Sequence, residues 1–236
     1  MSRLTRTVLC STAVLVLCLV ALPLVYMGQE ATTNSQRGTF GTRPPTASST
    51  TSSQATPNIL PEGTVTIYSN FGPGYSYWCC GGWIEDGLST AGPVIAAMAF
   101  TPTQGTYLLT QIDFVMVWFG EGQNSLKLEL RDDWEGQPDP APPPMGSWKV
   151  SNLPLYEGSS GYPYAIQTIQ VRQPIILQKN HRYWLVPVPS ATGEFGWVGN
   201  YDDIEGKVAS TNDGGTVWQT SYDFNSVFDV LGKKLF

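Results

Sequence analysis

Leu126, Leu128 and Leu130 alternate with Lys127, Glu129 and Arg131. A period of two is what a strand with one buried and one wet face requires, because successive side chains point to opposite sides. After residue 64 no helical period persists for three turns, so this alternation governs the body of the chain. Thr64 to Tyr68 alternates and is rich in β-branched residues. Leu108 to Phe119 begins as an alternating strand and becomes apolar on both faces, as a central strand does. Further strands are predicted at Val94–Phe100, Trp148–Ser151, Tyr164–Val171, Tyr183–Val188, Lys207–Ser210 and Val227–Leu231. Pro187 and Pro189 share one parity of their strand and mark an edge or a strand end. Asp132 to Pro144 carries five prolines and reads as a long loop.

About ten short strands separated by Gly, Pro and Asp turns predict an all-β, antiparallel two-sheet sandwich, jelly-roll-like in connectivity. Its core is expected to include Phe114, Met116, Leu126, Leu128, Leu130 and Phe228, with Trp118 and Trp184 in strands beside them. Composition agrees. Charged residues are 14% of the chain against a usual quarter or so, while aromatics reach 12%. From residue 64 onward 9 Lys and Arg stand against 17 Asp and Glu, a net charge of −8. An acidic surface repels phosphate backbones, which argues against nucleic acid as a partner.

Ahead of the body lie two further segments. Residues 1–27 hold Arg3 and Arg6, then an apolar run from Val8 to Met27 broken only by Ser11, Thr12 and Pro23. Twenty helical residues span roughly 30 Å, the hydrocarbon core of a bilayer. No clear small-x-small cleavage site follows. The favoured reading is an uncleaved signal-anchor that holds the body on the extracellular side of the membrane; the alternative is a cleaved signal peptide and a secreted protein. Residues 28–63 hold 17 Ser, Thr and Pro and little that is apolar. Such a segment cannot repay its ordering entropy by burial, so it reads as a disordered linker to the body at 64–236.

Candidate sites cluster in the loops. Trp78, Trp134 and Trp197 occur among Gly, Pro and Asp, where a turning backbone leaves a large ring at the rim, and Tyr201 lies close behind Trp197. Exposed aromatic rings stack on the C–H faces of sugars. Asp202, Asp203 and Asp213 supply hard oxygen ligands for a structural calcium ion, although their spacing is not that of an EF-hand. The bland reading is that Asp in Gly-rich turns bonds nearby backbone amides. With Asp132, Asp133, Glu135 and Glu205, the same aspartates could supply a pair of carboxylates for a hydrolase. His181, in Lys179-Asn180-His181-Arg182, reads as part of a polar turn. One histidine and two adjacent cysteines cannot set a tetrahedral zinc site. Cys79 and Cys80 are neighbours whose Cα atoms are about 3.8 Å apart, short of the usual disulfide span. Reduced thiols, a strained vicinal disulfide and an intermolecular bond remain open.

Six motifs in order along the body resemble those of an exported bacterial domain family, the PEP-CTERM or choice-of-anchor type. They are Tyr68-x-Asn70-Phe71-Gly72-Pro73-Gly74-x-Ser76-Tyr77 with Gly82-Trp83; Ala97-Met98-Ala99-Phe100-Thr101-Pro102; Tyr183-Trp184-Leu185-Val186; Asp213-Gly214-Gly215-x-x-Trp218; and Phe228-x-Val230-Leu231-Gly232. The resemblance implies a secreted, surface-attached β-sandwich with no established catalytic activity, so it brings no catalytic residues. The chain departs from the family in ending at Lys233-Lys234-Leu235-Phe236 without a C-terminal anchor, so that either the N-terminal segment is expected to do that work or the protein is released. The expected function is an exported, non-catalytic binding or adhesion module that engages a polysaccharide or cell-surface glycan. A purely structural surface component and a paired-carboxylate hydrolase are the alternatives.

Overall fold

A computed structural model describes residues 62–78, 83–85, 94–141, 143–157, 164–190, 192–200 and 204–235. The apolar run Val8–Met27, the linker up to residue 61, and Cys79 and Cys80 lie outside the described residues. Among the described residues no helix is long and apolar enough to cross a membrane.

The described strands are β1 (Thr64–Ser69), β2 (Tyr77–Trp78), β3 (Trp83–Glu85), β4 (Ile95–Phe100), β5 (Tyr107–Phe114) and β6 (Met116–Trp118). There follow β7 (Ser125–Trp134), β8 (Gln137–Pro138), β9 (Gly146–Ser151), β10 (Gln167–Gln170), β11 (Ile176–Leu177) and β12 (Tyr183–Pro189). The last are β13 (Glu194–Trp197), β14 (Gly199–Asn200), β15 (Glu205–Thr211), β16 (Gln219–Phe224) and β17 (Phe228–Lys234). One sheet runs β1-β17-β5-β10, with β11 also on β5. The other runs β16-β15-β4-β12-β7-β8, with β9 also on β7. The chain passes repeatedly from one sheet to the other, and its first and last strands pair side by side. Two small sheets, β3-β13-β6 and β14-β2, complete the set.

The main core forms where the two inner faces meet. β7 sends in Leu126, Leu128 and Leu130, β12 Tyr183 and Leu185, and β4 Met98 and Phe100. Across from them stand Leu109, Ile112 and Phe114 of β5 with Phe228 and Val230 of β17. Phe114, Met116, Leu126, Leu128, Leu130, Phe228 and Trp184 are buried as expected, whereas Trp118 is only partly buried. A bulge explains why Leu109 and Ile112 both point inward although they differ in parity. Leu231 pairs with Gln111 and Gly232 with Leu109, so Thr110 is the extra residue and reverses the alternation. A bulge of this kind brings backbones close, and a side chain at Gly232 would place its Cβ 2.4 Å from the Leu108 carbonyl oxygen. Asn70 locks the first strand to the last: its side chain donates to Ser226 O at 2.8 Å and accepts from Phe228 N at 2.7 Å.

Two local expectations are corrected, and that for the prolines, an edge or a strand end, holds. The stretch from Asp132 is not one long loop, because β7 continues to Trp134 and turns back into β8. Glu135 and Gly136 form the turn with φ of 51° and 85°, the left-handed pair that a two-residue hairpin needs. Pro187 and Pro189 lie within β12, which is flanked by β4 and β7. Both fall past Leu185, where pairing with β4 stops. The middle of the second sheet is also buried on its outer side. Ile95, Ala97, Ala99, Trp184, Val186, Ala209 and Trp218 form a second apolar cluster there. Glu129, on the alternate side of β7, is consequently buried too and is held by Arg131 at 2.7 Å.

Candidate functional site

The β7–β8 hairpin carries Asp132, Asp133 and Glu135 of the candidate carboxylates and brings His181 beside them. Asp133 Oδ1 accepts from the Trp184 indole N–H at 2.8 Å and from Arg182 Nη1 at 3.3 Å, while Oδ2 accepts from Gly136 N at 3.2 Å. Asp132 pairs with His181 Nε2 and also accepts from Asp133 N at 2.8 Å. His181, partly exposed just after the 179–180 turn, is therefore a hydrogen-bond partner of Asp132. Lys207, two residues before Ala209 on β15, stretches to the turn: a Cβ added at Gly136 would lie 2.6 Å from its Nζ.

Trp134 stands at the tip of this hairpin and is 54% exposed. Its strand neighbours are tied down by Asp133 and by the turn, so the ring sits on a firm base. Tyr222 pairs with Lys207 across β15 and β16 and is 73% exposed. Registered residues of an antiparallel pair share a face, so Tyr222 flanks the amino group that reaches the hairpin. Lys207, Tyr222 and Arg182 thus share the outer side of the second sheet with Asp133, whereas Trp134 has the parity of Leu128 and Leu130 and leaves the hairpin on the other side. Tyr222 was not visible in the sequence, because Gln219 to Phe224 carries no clear alternation.

Trp197 is not at the rim. It is fully buried, packs against Phe114 at 6.5 Å and Phe228 at 6.0 Å, and donates its indole N–H to Val227 O at 3.0 Å. The glycines around it are there for close packing and not for a turning loop. At Gly196 a Cβ would come within 3.0 Å of the Phe119 ring. Trp78 pairs with Gly199 through its backbone, and nothing further is described of it. Tyr201, Asp202 and Asp203 lie outside the described residues. Asp213 belongs to a turn: its Oδ1 accepts from Thr211 Oγ1 at 2.6 Å, Thr216 N at 2.9 Å and Val217 N at 3.1 Å. These bonds hold its carboxyl below the usual carboxylate range. Among the described residues no group of three or more His, Cys, Asp and Glu side chains comes together as a metal site.

A pair of carboxylates does face one another, on the outer side of the first sheet. Asp113 of β5 and Asp229 of β17 are direct cross-strand partners, and both are buried. Asp113 accepts from Thr168 Oγ1 at 2.6 Å and from Gln111 Nε2 at 2.7 Å, and Gln170 in turn donates to Gln111 at 2.8 Å. Burial raises the Asp113 carboxyl against these bonds. Burial also pushes Asp229 up to about 7; a hydroxyl bond from Ser69 opposes the rise and the charge of Asp113 adds to it. Neither residue was among the sequence candidates. The signal that could have found them is a lone Asp inside a strand otherwise apolar on both faces, since an unpaired buried charge is costly and rarely incidental. No family model matches the chain, and neither a curated protein nor a solved structure does.

Proposed function

We propose that this protein is an exported, non-catalytic carbohydrate-binding module, a jelly roll carried outside the cell on its N-terminal apolar segment. The connectivity supports the jelly-roll reading. β1, β17, β5 and β10 in one sheet interleave with β4, β12, β7 and β9 in the other as two Greek keys do, and β15–β16 adds a hairpin at the β4 edge. The resemblance to choice-of-anchor domains and the length of the apolar run support export and surface attachment.

One observation carries the ligand class: Trp134, 54% exposed at the tip of a rigid two-residue hairpin. A large apolar ring left in water on an ordered base has little to contribute to folding. It offers a flat face on which a sugar ring can stack. Retention on a panel of immobilised polysaccharides tests the reading. Wild type should be retained by at least one of them, and Trp134→Ala should lose retention with its melting temperature unchanged. If Trp134→Ala unfolds the domain and no polysaccharide retains the wild type, the aromatic is structural and the purely structural reading stands.

A further inference from the structure

The loop between β1 and β2 folds over Asp229. Gly72 N donates to Ser76 O at 2.8 Å, and Gly74 and Tyr75 both take positive φ, 67° and 60°. For tyrosine this backbone is unfavourable, and here it lays the ring 5.3 Å from that of Phe71. Beneath lies a pocket of about 210 Å³, lined by Thr66, Ser69, Phe71, Tyr75 and Asp229 with the glycines between them. Asp229 is 2% exposed. Ser69 serves its carboxyl, yet its Oδ1 has no hydrogen-bond partner among the described residues. A buried acceptor without a donor is costly, and more so when it is charged. No Lys, Arg or His lines the pocket, and the nearest ionisable neighbour along the sheet is a second carboxyl, Asp113.

We propose that this pocket binds a primary alkylammonium group, held by the unpartnered Oδ1 of Asp229 and the hydroxyls of Ser69 and Thr66, with Phe71 and Tyr75 enclosing its stem. The chemistry of each wall fits. An ammonium brings N–H donors and one positive charge to a buried carboxyl that has no cationic partner in the pocket and a second carboxyl, Asp113, as its cross-strand neighbour. The two rings face a cation favourably and cover an alkyl chain. A divalent ion fits less well, because calcium takes six to eight oxygen ligands and only one carboxylate lines this pocket. An uncharged sugar would leave the two carboxyls without a counter-charge. The site lies on the first sheet, apart from the Trp134 hairpin on the second, and does not depend on the carbohydrate reading.

Calorimetric titration of the full chain with n-butylammonium chloride tests it. Binding should be saturable, at least tenfold weaker in Asp229→Asn and severalfold weaker in Ser69→Ala, which covers the case of a misfolded first variant. Tetramethylammonium, which has charge but no N–H donor, should bind at least tenfold more weakly than butylammonium. In carbon NMR the Asp229 carboxyl should ionise at lower pH when butylammonium is present. Glucosamine and Nα-acetyl-lysine methylamide, titrated alongside, tell an amino-sugar source from a lysine side chain. Trp134→Ala should leave butylammonium binding unchanged. The proposal is overturned if butylammonium does not saturate the folded wild type, if Asp229→Asn binds it equally, or if calcium chloride displaces it at lower concentration.

Discussion

The outer faces of the two sheets treat charge in opposite ways. On the second sheet Glu129 and Asp133 each meet a cationic partner in Arg131 and Arg182. On the first sheet Asp113 and Asp229 meet each other. Both arrangements occur in antiparallel sheets of one domain, so the difference is not one of backbone. A carboxylate matched by a guanidinium and an indole N–H is a strut, and its neighbours can be apolar. Two buried carboxyls side by side are a standing cost, which the free protein reduces by holding a proton and a cationic ligand would remove. The second face is built to be stable and to hold Trp134 firm. The first keeps an unmet demand.

The largest test of that contrast is Trp184→Ala. It empties the outer apolar cluster and strips Asp133 of its indole donor, so unfolding in urea should show a loss of about 3–5 kcal/mol. A loss no greater than that of a surface change would mean the second face is not a structural layer.

Next in size is the pH dependence set by Asp229. Its folded carboxyl is raised from 3.8 to about 7, so between those values the native state holds a proton that the unfolded chain has released. Stability should therefore fall as pH rises through this window, by about 2–4 kcal/mol in all, with Asp113 acting in the same direction. Melting temperatures measured from pH 4 to pH 8 should decline in wild type and flatten in Asp229→Asn. A flat wild-type profile would erase the difference between the faces.

Trp134→Ala comes third. Binding to a retained polysaccharide should weaken by roughly 1–3 kcal/mol while stability moves by less than about 0.5 kcal/mol. Equal effects on both would make the hairpin tip as structural as Trp184. The smallest effect belongs to Asp213, whose carboxyl is lowered by Thr211 and the amides of its turn. Its contribution is present above the unfolded value near 3.8 and disappears as pH falls through the lower folded value. Asp213→Asn should slightly lower the melting temperature at pH 6 and leave it unchanged at pH 2.

Sequence by itself determined the strands whose two faces differ. Leu126, Leu128 and Leu130 could be placed in the core because burial on one side and water on the other print a period of two. The start at Thr64 is legible from its alternation and β-branched residues, and the closing Val227–Leu231, buried on both faces, from its apolar run. Short pieces such as β8, β11 and β14 span too few residues to carry any period, and Glu135-Gly136 is not the usual signature of a two-residue turn. Only the tertiary structure decided which aromatic is wet. Trp134 and Trp197 sit among similar neighbours, but one ends a hairpin and the other enters a core between Phe114 and Phe228. It alone also decided which acids meet. Asp113 and Asp229 are far apart in the chain, and cross-strand register, set by packing and by the bulge at Thr110, brings them face to face. Local alternation follows from each residue's own solvation, whereas neighbours across a sheet follow from how the whole chain pairs.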